Sequence, residues 1–167
     1  ILLQSIKEEM LLSDTQLGLL SEIAFAAFYT VFAIPMAIWA DSHSRRNLIA
    51  SALTVWSLMT ALSGMAFNYT TLLLTRMGVA IGESGAGPAA QSVIADYFPP
   101  HQRSRAMSVY SLGILLGIMV GYTTGGWVNE QFGWRLAFMV VGLPGVAVAL
   151  LLRLTMQEPV RGASEGR

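Results

Sequence analysis

The sequence contains no cysteine, which excludes disulfide staples and thiolate metal sites but leaves the compartment open. Histidine is nearly missing too: His43 and His101 are the only two, and both fall in short polar stretches. No metal-ligand cluster is read in the sequence. Charge is scarce. Asp, Glu, Lys and Arg make up 12% of the 167 residues, against about 25% in ordinary soluble domains, too few to coat a folded surface in water. The charges also cancel to zero, so no field of one sign favours nucleic acid or an acidic partner. Catalytic signals fail as well. Gly85-Ala86-Gly87-Pro88-Ala89-Ala90 fits Gly-x-Gly-x-x-Ala, but it continues an apolar helix, and a dinucleotide site needs a strand before that turn. No Ser-His-Asp set falls at a common depth. Neither an enzyme nor a cofactor is expected.

What the sequence has in abundance is apolar length. The stretches 23–40, 47–75, 106–129 and 136–152 contain no Asp, Glu, Lys or Arg, and a helix of roughly 20 mostly apolar residues crosses the hydrocarbon layer. The pattern predicts an all-α fold, a polytopic membrane bundle of five helices over about 16–40, 48–67, 72–95, 104–127 and 134–154. Ser13 or Asp14 is positioned to cap the first of these by accepting orphan backbone N–H groups. Asn68-Tyr69-Thr70 matches a glycosylation triplet, but in so short a loop it reads as turn chemistry.

Orientation follows from the loops. Arg45, Arg46, Arg103, Arg105, Arg153, Arg161 and Arg167 lie on one side, against Lys7 and Arg135 on the other. Basic residues concentrate on the cytoplasmic side of membrane proteins. Loops 41–46 and 96–105 and the C-terminus are therefore expected in the cytoplasm, with the chain integral to a membrane, taken as a bacterial inner membrane. An internal echo joins the two sides. Ala37-x-x-x-Asp41-x-x-Ser44-Arg45-Arg46 is matched by Gly126-x-x-x-Glu130-x-x-Gly133-Trp134-Arg135 at one constant offset, the pattern of inverted three-helix repeats. The chain opens on Ile1 without a charged start and cleavage site. With an odd number of spans it is expected to be a fragment.

Three elements carry candidate function. The third helix contains Arg76 and Glu83, about two turns apart on one face, with Arg76 in the outer third and Glu83 near mid-depth. Ionisable groups inside a membrane helix are costly and face a cavity or a partner. The two residues are candidates for the ends of a polar site, or else Arg76 reaches outward and Glu83 satisfies a neighbouring helix. Glu22, at a depth similar to that of Arg76, either pairs with it or lies exposed at the outer mouth. Gly78 and Gly82 form a close-packing patch, and Gly113, Gly117, Gly121, Gly125 and Gly126 form a stripe on the fourth helix. Both suit the approach of another helix backbone.

The 37–46 stretch resembles the loop signature Gly-x-Leu-Ala-Asp-Arg-x-Gly-Arg-Arg of the major facilitator superfamily. Asp41, Arg45 and Arg46 match it, while Ala37, Ser42 and Ser44 depart from it. Gly117 to Gly126 resembles that superfamily's Gly-x-x-x-Gly-Pro-x-x-Gly-Gly antiporter motif, with Tyr122 in place of the proline. Ser13 to Gly18, Ile94 to Pro99, Gly133 to Phe138 and Glu158-Pro159 extend the resemblance over nearly the whole chain. It implies the second to sixth helices of a secondary transporter whose first helix and C-terminal half are missing partners. It also implies that Asp41, Arg45 and Arg46 hold the cytoplasmic helix ends together in one transport state; the plainer reading is a topology signal. Arg76 to Glu83, with 95–99 behind it, is similar to the Spinster-like group. That similarity implies proton-linked movement of lysophospholipids or sphingoid phosphates, Arg76 meeting the anionic headgroup and Glu83 carrying the proton. A small organic anion or drug exporter is the alternative substrate reading, and a non-transporting membrane scaffold or receptor the alternative class. The scaffold reading requires Arg76 and Glu83 to be paired internally, with no cavity reaching them.

Overall fold

Helix ends are set by the chain's own capping residues. In the computed structural model, which describes residues 2–162 and 164, Ser13 Oγ accepts the Gln16 backbone N–H at 3.2 Å. Gln16 Oε1 in turn accepts the Ser13 N–H at 2.9 Å. This reciprocal box satisfies two orphan donors and starts a helix that runs Asp14–Ser42. Asn68 and Thr71 form the same box ahead of the helix Tyr69–Tyr97. Ser44 caps Arg45–Ser63 by accepting from the Asn47 N–H. Pro100 stands in the first turn of Pro100–Phe132, where its missing N–H costs nothing. Gly133, at φ +87°, separates that helix from Trp134–Thr155; a side chain there would be strained.

With a short leading helix, Leu3–Met10, the elements are α1 (Leu3–Met10), α2 (Asp14–Ser42), α3 (Arg45–Ser63), α4 (Tyr69–Tyr97), α5 (Pro100–Phe132) and α6 (Trp134–Thr155). Against the expected ranges, α5 continues past both ends of its apolar run. Residues 100–103 and 129–131 are helical although mostly polar, because a helix is not obliged to stop at the membrane surface. α1 was not foreseen; its eight residues are too few to register as a span. Within α2 a π-turn covers Leu19–Ile23. Arg167, one of the arginines counted for orientation, and Ile1 lie outside the described residues.

α4 occupies the middle, packed against α2 and α3, while α3 also contacts α6 and α6 contacts α5. Close approach depends on glycine. A Cβ on Gly82 would lie 2.7 Å from the Trp56 backbone nitrogen, and one on Gly142 2.6 Å from that of Ala61. Gly78 faces the Met59 side chain. The stripe on α5 behaves differently. Gly113, Gly117 and Gly121 meet nothing within 4 Å among the described residues, and Gly125 faces only Val141 Cγ2 at 3.8 Å. Among the described residues, a close backbone approach is seen instead at the α3–α6 seam of Gly142. Around the stripe, Leu112, Ile114, Leu115, Ile118 and Val120 are exposed. α2, α5 and α6 are long and apolar enough to cross a membrane. α3 and α4, richer in small and hydroxyl side chains, lie among them.

Two apolar clusters mark the ends of the bundle. Ile6, Leu12, Leu20, Ala66, Leu72 and Trp134 pack at one end, hereafter the Trp134 end. Ala40, Leu48, Ile49, Ala89 and Val93 pack towards the other, the Arg45 end. α1 belongs wholly to the first, with Ile6 buried beneath it.

Candidate functional site between the helices

Arg76 projects from α4 into a cavity of about 420 Å³. Its walls include Leu20, Thr60, Tyr122, Gly125 and Phe138, contributed by four other helices. The guanidinium lies over the Phe25 ring of α2, 5.6 Å from the centroid, within the range of a cation–π attraction. It has no ion pair or hydrogen bond among the described residues. Its charge is thus held by an aromatic face and left available on the cavity side. Glu83 is on the exposed surface of α4 and outside the cavity lining. The two charges attract each other, but they form no salt bridge. Glu22 sits in the π-turn with its side chain exposed and makes no pair with Arg76. π-turns recur at functional sites; here Glu22 is exposed and is not part of the cavity lining. Gly121, Gly125 and Gly126 also line the cavity, so part of the α5 stripe borders space and not a partner helix.

The second constellation lies at the Arg45 end. Arg45, 2% exposed, pairs with Asp96 of α4, donates to Ser92 Oγ at 2.9 Å, and reaches Glu158 Oε1 at 3.2 Å and the Pro159 carbonyl at 3.0 Å. Glu158 comes from the segment after α6. Its carboxylate accepts the backbone N–H groups of Arg45 and Arg46, at 3.1 and 2.8 Å, and the Ser44 hydroxyl at 2.7 Å. It therefore caps α3 where the helix dipole favours an anion. Burial alone would raise the Glu158 pKa, but these donors prevail and hold it down at about 2. Arg46 donates to the Met156 carbonyl at 3.4 Å, while its buried Nε has no acceptor among the described residues.

Asp41, which matches the same loop signature, is exposed and makes no ion pair among the described residues. The last carbonyls of α2 are met instead by Arg161, which donates to Ala40 O at 2.7 Å and His43 O at 2.8 Å. Arg45 begins α3 and turns inward to α4, so the acid in reach is Asp96. The signals for Asp96 and Glu158 were present in 94–99 and Glu158-Pro159, but nothing local indicated which base each would meet.

The Trp134 end has a counterpart. Glu9 of α1 accepts from Trp134 Nε1 at 2.6 Å and pairs with Arg135. The Arg135 guanidinium stacks over the Trp134 ring at 4.2 Å and donates to the Ala66 carbonyl at 3.1 Å. Asn129 of α5 donates to Ser5 Oγ at 2.9 Å. Leu2, Leu3 and Ile6, in and beside α1, close one side of the Arg76 cavity. No group of three or more His, Cys, Asp or Glu side chains able to hold a metal occurs among the described residues.

The comparisons agree with this architecture. An "MFS-type efflux pump" of Mycolicibacterium smegmatis is 36% identical over 156 residues, covering 93% of this chain and 36% of that protein. Human "Protein spinster homolog 1" is 34% identical over 168 residues, covering 98% of this chain and 31% of the relative. A crystal structure of a bacterial homolog of the human lysosomal transporter Spinster, inward-facing and unoccupied, superposes with a TM-score of 0.85 at 40% identity. The match covers 96% of this chain and 39% of that one. The chain thus spans about a third of the length of the curated relatives it matches. With a similarity to Spinster proteins that extends over nearly its whole length, and with the family's sequence model matching residues 1–167, the chain is an integral membrane protein that belongs to the Major Facilitator Superfamily.

Proposed function

We propose that this chain supplies most of one bundle of a secondary active transporter, working by alternating access around a site that includes Arg76. The observation that carries the reading is an arginine lining an interhelical cavity with an aromatic ring behind it and no counter-ion. Holding an unpaired cation away from water is costly, so the arrangement suits an anion that comes and goes. A non-transporting scaffold requires Arg76 and Glu83 to be paired and sealed. Instead they form no salt bridge, and a cavity reaches Arg76.

The substrate that fits is an amphiphilic anion, a lysophospholipid or sphingoid phosphate. Its headgroup would meet Arg76 and its chain the apolar walls of Leu20, Ile118, Phe138 and Val141. Similarity to the human Spinster homolog supports this assignment. Glu83, exposed on α4 and within the field of Arg76, is assigned the coupling proton, because its neutral form is the easier one to hold away from water. The Arg45 end, with its excess of arginine, is assigned to the cytoplasm, and the network there to fastening α3, α4 and the segment after α6 into one moving body. A drug or small-anion exporter is the second reading, favoured by similarity to the efflux pump.

The test uses the full-length parent protein in proteoliposomes, with flux of a labelled lysophospholipid followed with and without an imposed proton gradient. Gradient-driven flux that Glu83→Gln uncouples and Arg76→Ala abolishes is the expected result. Flux unchanged by Arg76→Ala would remove the cavity from the pathway. Well-folded protein that moves a small organic anion and no lipid would replace the first substrate class by the second.

A further inference from the structure

A second groove lies between α3 and α6. It has a volume of about 760 Å³ and shares no lining residue with the Arg76 cavity. Val55 and Leu58 of α3 and Leu143, Val146 and Leu150 of α6 line its length. The hydroxyls on its wall are already used: Ser51 donates to the Leu48 carbonyl at 3.0 Å and Thr54 to that of Ala50 at 2.8 Å. Along the membrane-spanning part the groove therefore offers methyl and methylene groups and no free hydroxyl proton. Its polarity is confined to the Arg45 end, where Asn47 and Arg153 complete the lining.

Arg153 differs from the arginines around it. Arg45, Arg46 and Arg161 are each committed to acceptors at the same end. Arg153, exposed in the last turn of α6, has no hydrogen bond or ion pair among the described residues. A cation at a helix C-terminus complements the dipole, but this one also stands at the mouth of an apolar channel running along the bilayer. We propose that the α3–α6 groove is a binding site for an anionic phospholipid of the adjoining leaflet. One acyl chain lies between Val55, Leu58, Leu143 and Val146, and the phosphate meets the Arg153 guanidinium beside Asn47. The combination selects for charge and shape together. A zwitterionic lipid fills the groove but brings its own cation to Arg153, and free phosphate has nothing to place against the apolar wall. The site shares no residue with the Arg76 cavity and does not depend on what, if anything, is transported.

The experiment is native mass spectrometry of the full-length protein, exchanged into detergent with equal amounts of phosphatidylglycerol and phosphatidylcholine. Wild type is expected to retain phosphatidylglycerol preferentially. Arg153→Ala is expected to lower that preference about fivefold, the effect of a single cation beside an anionic headgroup, and Arg153→Lys to restore most of it. Ala147→Phe, which fills the channel and keeps the cation, should lower retention of both lipids at this site. An unchanged lipid ratio in Arg153→Ala, or equal retention of the two lipids by wild type, overturns the proposal and leaves the groove as ordinary annular surface. Competition by inorganic phosphate would overturn the acyl-chain part.

Discussion

The two ends of the bundle solve one problem with the same pair of groups at different depths. At each end an arginine near the start of a helix meets a glutamate from a segment distant in sequence: Arg45 meets Glu158, and Arg135 meets Glu9. In the internal echo of Ser44-Arg45-Arg46 and Gly133-Trp134-Arg135, Arg135 stands at the place of Arg46 and Arg45 at that of Trp134, so the two paired arginines sit one residue apart in the repeat. Their burial differs greatly. The Arg45 side chain is 2% exposed and also bound to Asp96, whereas the Arg135 side chain is 39% exposed and Glu9 50%. Glu158 takes two backbone N–H groups of α3 as well as side-chain donors; Glu9 takes side chains only. A charge removed from water must be fully satisfied or it destabilises, whereas one left at the surface contributes little. The Arg45 end is therefore built as a lock, and the Trp134 end as a strap lying over the cavity side of the bundle.

Arg45→Met tests the comparison most severely. It leaves Asp96 and Glu158 without their shared cation, and loss of one partner of a buried pair costs about 3–5 kcal/mol. A large fall in the thermal melting midpoint of the full-length protein in detergent is expected. A melt unchanged from wild type would show that the lock does not bear on stability. An intermediate effect comes from pH. The Glu158 pKa is lowered from 4.5 to about 2 in the folded protein, so its contacts contribute fully above pH 4.5 and are lost as pH falls towards 2. Melting midpoints of wild type and Glu158→Gln, well separated at pH 6, should converge through that window. A constant gap would mean that other acids carry the acid sensitivity. Glu9→Gln has the smallest expected effect, below about 1 kcal/mol, because the pair is exposed. Its readout is faster amide exchange in α1 with the melting midpoint nearly unmoved. A loss matching that of Arg45→Met would erase the distinction between lock and strap.

Much of this architecture is legible in the residues. The capping boxes at Ser13 and Asn68, the break at Gly133 and the long apolar runs are signals that act within a few residues, and the backbone follows them. Periodicity alone puts Arg76 and Glu83 about two turns apart on α4, but it does not tell that only Arg76 of the two lines the cavity. Glycine shows where such reading stops. The regular stripe from Gly113 to Gly121 meets no other helix among the described residues, whereas Gly142, in no repeated pattern, admits the Ala61 backbone. Spacing reports which residues share a stripe, not whether another helix lies against it.

By itself the sequence determined that this chain is a bundle of membrane-crossing helices, where most of them begin and end, and that α4 holds a cation and an acid two turns apart. Hydrophobic run length, capping and periodicity are properties of neighbouring residues, and they operate before any two helices meet. Only the tertiary structure decided that Arg45 belongs to Asp96 and Glu158 and not to Asp41, that Phe25 lies under Arg76, and that α1 closes over the Trp134 end. Each of these choices joins residues far apart in sequence. They are settled by the angles and distances at which whole helices pack, to which no short stretch of sequence is bound.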